Sequence, residues 1–272
     1  MTLETFLDGR AVIEIRVTGA QGSAPRREGT VLYLRDDGAI HGTVGGGRLE
    51  WLAMERAREM LVGGEDHATM DVPLGPDIGQ CCGGRVQLVL TRMTDAMRHA
   101  ATEAARRDAE ALPEVWVFGA GHVGRALAAA MALCPVRLRL VDSRAAELDR
   151  AGDVEKVLTP LPEAEVARAA PGAVFVTMTH EHASDFEVAM AALARGDAAY
   201  VGMIGSKTKR ANLLRLCRAH GIDTARLTCP IGAPSADNRP EVIAALATAE
   251  ILRALEAQSV AVPEREGSVH GS

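Results

Sequence analysis

Apolar and polar positions follow two different rhythms along the chain. In the first third, short alternating runs mark strands at Ala11–Thr18, Thr30–Leu34 and Ala39–Thr43, with a turn signal at Asp36-Asp-Gly38. A helical period then takes over from about Arg48 to Leu61, where Leu49, Leu52, Ala53, Met54, Ala57 and Leu61 share a broad apolar face. Gly63-Gly64 ends it, and Asp71–Leu74 and Arg85–Leu90 return to strand character. From Pro113 onward the pattern changes. Strand candidates at Val115–Phe118, Arg137–Val141, Lys156–Leu158, Ala173–Thr177, Tyr200–Ile204 and Leu227–Cys229 alternate with helical stretches, the last of them Pro240–Glu256. Strands alternating with helices predict a parallel sheet.

The expected fold class is therefore α/β: a C-terminal Rossmann-like parallel sheet domain (113–257) preceded by a smaller α+β domain (1–94). Residues 95–112, rich in alanine and charge without Gly or Pro, read as a helical connector or equally as a helix packed on the first domain. Residues 258–272 have no apolar period and read as a disordered tail.

Composition narrows the function classes. An aromatic share of 3% and a net charge of −6 argue against a nucleic-acid surface. No run of apolar residues reaches membrane-spanning length, and the amino terminus lacks the basic and apolar regions of a signal peptide. Five cysteines without regular spacing suit a reducing compartment, so a cytoplasmic location is expected.

Glycine-rich loops carry the candidate chemistry. Gly119-Ala-Gly121-His122-Val-Gly124 follows a strand, opens a helix, and is followed by a strand ending in Asp142. In such a loop Gly119 makes the tight turn, Gly121 lets backbone approach a phosphate, Gly124 packs the helix closely, and Asp142 reaches ribose hydroxyls. A helix terminus contributes only about 0.3–2 kcal/mol to an anion, against about 8 kcal/mol for micromolar binding. Other strand ends must contribute. Thr179-His180-Glu181-His182 follows the fourth strand of this domain, and Gly205-Ser206-Lys207 the fifth, where a hydroxyl cap and a lysine suggest a second anion site or a plain helix cap. Two histidines at i and i+2 read better as polar loop residues than as metal ligands.

In the first domain, Arg26 lies in the polar loop Gly22–Gly29, and Gly45-Gly46-Gly47 opens the helix with free amides. Cys81 and Cys82 sit in a glycine-flanked loop, where an accessible thiol suits a soft metal. Cys134 and Cys217 read as buried and inert, and Cys229 stays undecided.

Taken in order, Gly22-Ser-Ala-Pro-Arg26 with Gly29, Thr43-Val-Gly-Gly-Gly47-Arg-Leu-Glu50, Cys82-Gly-Gly84, the Gly119 loop with Asp142, Thr179-His180, Val201-Gly-Met-Ile-Gly-Ser-Lys207, and Ile231-Gly232 with Pro240-Glu241 resemble the XdhC/CoxI family, nearest its XdhC branch. The resemblance implies a chaperone without catalytic residues. It would bind molybdenum cofactor (molybdopterin), protect it while a cysteine desulfurase installs a terminal sulfur, and deliver it to the molybdenum-binding subunit of xanthine dehydrogenase. The cofactor-binding candidates are Gly119, Gly121, His122, Gly124, Asp142, Cys82, Arg26, Gly46, Gly47, His180, Ser206 and Lys207, with Cys82 assigned to the molybdenum. A homodimer is expected of a carrier that docks on a dimeric target. Two departures stand out: Arg48 replaces a Cys that CoxI-like members carry after the glycine run, and Ala233-Pro-Ser-Ala-Asp-Asn238 replaces a Leu-Asp-Ile-Gly type segment. The competing reading is an NAD(P)-dependent oxidoreductase, with His180 or Lys207 as the proton-transfer group.

Overall fold

The computed structural model describes residues 2–22, 27–74, 84–232, 235 and 237–261. They belong to two compact units, Met1–Asp108 and Ala109–Ser272.

The first unit contains α1 (Leu3–Leu7), β1 (Val12–Gln21), β2 (Val31–Arg35), β3 (Ile40–Gly42), α2 (Gly47–Gly63), β4 (His67–Leu74), β5 (Gly84–Arg92) and α3 (Asp95–Glu110). Its five strands form an antiparallel sheet in the order β3-β2-β1-β5-β4. Alternation on β1 divides the side chains. Ile13, Ile15 and Val17 join Leu32, Leu34, Leu88 and Leu90 beneath α2, whereas Val12 joins Tyr33, Phe6, Leu7 and Met93 on the other side. α2 buries Leu49, Ala53, Ala57 and Met60, one helical stripe, and ends on Gly64, whose left-handed backbone (φ +75°) donates its N–H to Met60 O. β4 starts at His67, ahead of the expected Asp71, because it pairs with β5 from His67 opposite Thr91 to Leu74 opposite Gly84. α3 is tied to the first unit through Arg98, whose guanidinium donates to Leu7 O and Arg10 O.

The second unit contains β6 (Glu114–Phe118), α4 (His122–Met131), β7 (Arg137–Asp142), α5 (Ala145–Asp149), β8 (Glu155–Leu158), α6 (Pro162–Glu165) with a 3-10 turn at Val166–Arg168, β9 (Val174–Thr177), α7 (His182–Ala194), β10 (Tyr200–Met203), α8 (Lys207–Ala219), β11 (Leu227–Thr228) and α9 (Pro240–Ala261). All six strands run parallel, in the order β11-β10-β9-β6-β7-β8. This is the doubly wound Rossmann order, with the winding reversing between β6 and β9. The crevice outside the strand ends at that reversal is where such sheets bind ligands. The apolar strands supply two cores. Trp116, Phe118, Phe175, Val201 and Met203 pack with Val188, Ala192 and Leu213 of α7 and α8. Val115, Val117, Leu140, Val174 and Val176 pack with Leu127, Met131, Ala244 and Ile251 of α4 and α9. Phe118 and Phe175 are fully buried, so truncating either to Ala costs about 3–5 kcal/mol.

One buried acid interrupts this apolar plan. Glu114 opens β6 and accepts from Ala170 N–H and the Trp116 indole, both at 2.9 Å, with Arg137 and Arg139 paired to its other oxygen. Burial pushes its carboxyl up, but these donors outweigh it and hold the pKa at about 2. α9 continues through the start of the expected tail to Ala261; residues 262–272 lie outside the described residues.

Candidate cofactor site

The glycine loop turns sharply off β6. Gly119 adopts φ +111°, and a Cβ there would lie 2.4 Å from Met178 O, so only glycine fits between β6 and the chain leaving β9. Its N–H donates to Val141 O at 2.7 Å. A Cβ at Gly124 would meet Gly119 O at 1.8 Å, so this glycine lets α4 sit directly on the turn. Gly121 differs: a Cβ would meet nothing within 4 Å, and as the N-cap of α4 it leaves the helix start without a side-chain cap. The first-turn amides of α4 therefore face an open approach, which is what an anion needs. His122, the first residue of α4, is exposed. Arg125 braces the turn from behind, donating to Ala120 O at 2.6 Å and to Glu147 at 2.5 Å.

Beside the loop lies a cleft of about 260 Å3, lined by Gly119, Asp142, Leu161, Thr179, His180 and Glu181 among others. That volume falls just below the usual range for a small-molecule pocket, about 300–1,000 Å3, and suits one ring-sized part of a larger ligand. A larger groove, about 910 Å3, runs along α1, the start of β1 and α3 in the first unit. Its arginines are already paired, Arg10 with Asp36, Arg92 with Asp66 and Arg98 with Asp95. It also lacks a glycine-amide turn, so the smaller cleft at the winding reversal is the better ligand site.

Asp142 stands at the end of β7 as expected, but its bonding differs from a ribose-binding acid. Oδ1 accepts from Arg144 N–H at 2.9 Å and Arg144 Nε at 3.0 Å; Oδ2 accepts from Ala120 N–H at 2.7 Å and Arg144 Nη2 at 3.0 Å. A carboxylate has about four acceptor positions, and these are taken within the chain. Burial pushes this acid up, yet hydrogen bonds from Arg144 and the Ala120 amide leave it below the ordinary aspartate value.

The loop after β9 is held from within the following helix. Asp185, buried in α7, accepts from Thr179 N–H at 2.8 Å and from Lys209 Nζ at 2.5 Å. His180 is exposed and lies 3.3 Å from Glu181. Ser206 caps α8 by accepting from Lys209 N–H at 3.2 Å, and Lys207 is exposed. Both belong to the end of β10, which β9 separates from the glycine loop. Lys209, two residues further into the helix, is the lysine that turns inward. Sequence reading missed it because a lysine at a helix start attracts attention by exposure. The usable signal was its spacing, since Lys209 lies one turn before Leu213 and two before Cys217, the buried residues of α8.

Gly46 and Gly47, in the first unit, have left-handed backbones (φ +74° and +62°). Their turn is filled by the chain itself: Glu50 Oε2 accepts from Thr43 Oγ1 at 2.5 Å, Val44 N–H at 3.1 Å and Gly46 N–H at 3.2 Å. Arg26 and Cys82 (with Cys81) lie outside the described residues. Cys217 and Cys229 are buried, and burial raises both thiols above their ordinary pKa. Among the described residues no group of three His, Cys, Asp or Glu side chains is arranged to hold a metal ion, and no helix is long and apolar enough to cross a membrane.

Fold and loop together define a Rossmann-type domain with an uncapped glycine turn, preceded by an antiparallel α+β unit. Residues 115–251 match the XdhC Rossmann domain, and residues 7–72 match the XdhC and CoxI family. The chain belongs to the XdhC/CoxI family. It is 28% identical over 250 residues to the uncharacterized protein YqeB of Escherichia coli (strain K12), covering 88% of this chain and 42% of that one, so the chain spans under half the length of this curated relative. A crystallised xanthine dehydrogenase from Bacillus halodurans shares the fold, with a TM-score of 0.79 at 16% identity over 97% of this chain and 98% of that one.

Proposed function

We propose that this chain is an accessory protein of xanthine dehydrogenase that binds molybdenum cofactor and delivers it to the apoenzyme. The observation that carries this reading is an uncapped, sterically open amide turn at Gly121 in a chain of the XdhC/CoxI family. Molybdenum cofactor is a pterin dithiolene with a terminal phosphate. The phosphate suits the first turn of α4, and a ring-sized portion suits the adjoining cleft. Bound, the cofactor supplies the molybdenum centre that the dehydrogenase needs; the residues of this chain bind and orient it. Gly119 and Gly124 shape the turn, Arg125 and Asp142 hold it, and Thr179 with His180 borders the cleft. The metal end has no donor set among the described residues. Cys82 is the thiol this reading assigns to it.

On this reading the partners are the molybdenum-binding subunit of xanthine dehydrogenase, a cysteine desulfurase that provides the terminal sulfur, and a second copy of the chain, all in the cytoplasm. The chain acts as a carrier, without turnover of its own. Titrating the purified full chain with molybdenum cofactor, NAD(H) and NADP(H), followed by activation of apo xanthine dehydrogenase, tests it. Cofactor binding at micromolar or lower concentration with activation is expected. Dinucleotide binding with turnover of a small substrate, and no binding of the pterin, would overturn it. The metal end is tested by Cys82→Ala: unchanged cofactor retention and unchanged activation would remove that thiol from the mechanism.

A further inference from the structure

The end of β7 decides what kind of group the cleft accepts. In dinucleotide-binding Rossmann domains an acid here takes ribose hydroxyls, whereas an arginine accommodates a phosphate on the ribose. This chain has both residues, and they are bonded to each other. Arg144 engages Asp142 through its own N–H, Nε and Nη2, and the Ala120 amide takes the remaining acceptor position. A hydroxyl donor reaching Asp142 would find no lone pair free. Arg144 is different. Its side chain is 37% exposed, Nη1 has no hydrogen-bond partner among the described residues, and a guanidinium keeps its charge across the accessible pH range.

We infer that Arg144 sets the ligand class of this cleft: it masks Asp142 from hydroxyl donors and makes the β7 end a subsite for a phosphate monoester. Asp142 is then a positioning residue. It holds the guanidinium in place on one side and the glycine loop, through Ala120, on the other. The carboxylates of Glu147 and Glu181 also act on Arg144, so a phosphate competes with them, and Glu181 borders the cleft itself. The inference rests on the cleft being the ligand site, as proposed above, but not on which ligand supplies the phosphate. NADP can fill both places, pyrophosphate on the α4 turn and 2′-phosphate at Arg144; molybdenum cofactor has one phosphate and meets this subsite by seating it at the β7 end in place of the α4 turn.

Isothermal titration of the full chain with NADP+, NAD+ and molybdenum cofactor separates these sources. The unmodified chain is expected to bind NADP+ at least about tenfold more tightly than NAD+, the scale of one charge-assisted hydrogen bond. Arg144→Ala should weaken NADP+ by about tenfold or more and strengthen NAD+, because the acceptors of Asp142 are released. Opposite shifts cannot arise from a loosened fold. Glu181→Gln should tighten NADP+ and leave NAD+ unchanged. Equal affinity of the unmodified chain for the two dinucleotides, a parallel loss of both in Arg144→Ala, or no binding of either phosphate-bearing probe would each overturn the inference. Strong NADP+ preference without cofactor binding would remove the carrier function and leave this assignment standing. Cofactor binding indifferent to Arg144→Ala, with the dinucleotides equal, would do the reverse.

Discussion

Two helices of this protein begin on a glycine run, and they use it in opposite ways. At Gly45–Gly47 three positive-φ glycines turn the chain so that the Val44 and Gly46 amides donate to a carboxylate the chain provides, Glu50, in the first turns of α2. Around Gly46 and Gly121 alike a Cβ would meet nothing within 4 Å, but at Gly121, the N-cap of α4, no carboxylate of the following helix reaches back to the turn as Glu50 does. By sequence both loops are amide-rich helix starts and both qualify as anion sites. What separates them is which amides the chain's own acid takes: Glu50 accepts from Val44 and Gly46 across the first turn, whereas Asp142 accepts from Ala120 and leaves the first turn of α4 without a side-chain cap. The first loop is a finished structural joint; the second is a joint left open for a ligand.

The contrast can be broken at several points. Gly124→Ala should have the largest effect, since its Cβ would lie 1.8 Å from Gly119 O. A loss of about 3 kcal/mol in thermal or denaturant unfolding, with loss of ligand binding, is expected, and a silent substitution would mean that the turn can shift freely. Glu50→Ala comes next. Orphaning the amides of the first loop should cost about 1–3 kcal/mol, and added sulfate or phosphate should restore part of it. No loss would show that water serves those amides as well as the carboxylate does. Gly121→Ala should cost no more than about 1 kcal/mol, the scale of an N-cap change, because its φ of −65° suits any residue and a Cβ there would meet nothing within 4 Å. It should still weaken a phosphate-bearing ligand by about tenfold, since the new methyl occupies the approach.

The smallest effect is a pH dependence. The carboxyl of Asp142 lies below its ordinary value in the folded protein, chiefly because its Arg144 and Ala120 bonds outweigh burial. A depressed folded pKa contributes stability that is present above the unfolded value, about 3.9, and is lost as pH falls through the folded one. The melting temperature and ligand affinity should therefore stay flat from pH 7 to about 5 and decline below about 4. Asp142→Asn should remove part of that acid slope, and an unchanged slope would show that Asp142 is not the group titrating. Glu114, held at about 2, contributes with the same sign, as do Asp37, Glu65, Glu147 and Asp237, each lowered chiefly by a hydrogen bond from an arginine.

Much of the second unit was legible because its signals are local. Apolar runs such as Val115–Phe118 and Val174–Thr177 mark strands buried on both faces, and the glycine spacing fixes where α4 starts. The first unit was legible as elements but not as a sheet: β1 pairs with β5 some seventy residues later, Ile15 opposite Leu90, and no local pattern encodes that. At the site, sequence named Asp142 and Gly46–Gly47 but could not show that their bonding was already complete. Satisfaction depends on the partners a side chain meets: Arg144 two residues on for one, Glu50 for the other. Both partners were in view, and the spacing of Glu50 from the glycines was a readable clue. Lys209 and Asp185, from different helices, had no such clue to their pairing.

That last pair has a mechanical consequence. Asp185 and Lys209 are 1% and 9% exposed, and separating a buried charge pair leaves a penalty of about 3–5 kcal/mol. Since Asp185 also grips Thr179 N–H, the strand-end loop beside the cleft and the first turn of α8 are clamped into a single lever. Thr179 and Lys209 thus share one carboxylate, so the loop bordering the cleft cannot leave its place without also exposing a buried charge at the start of α8.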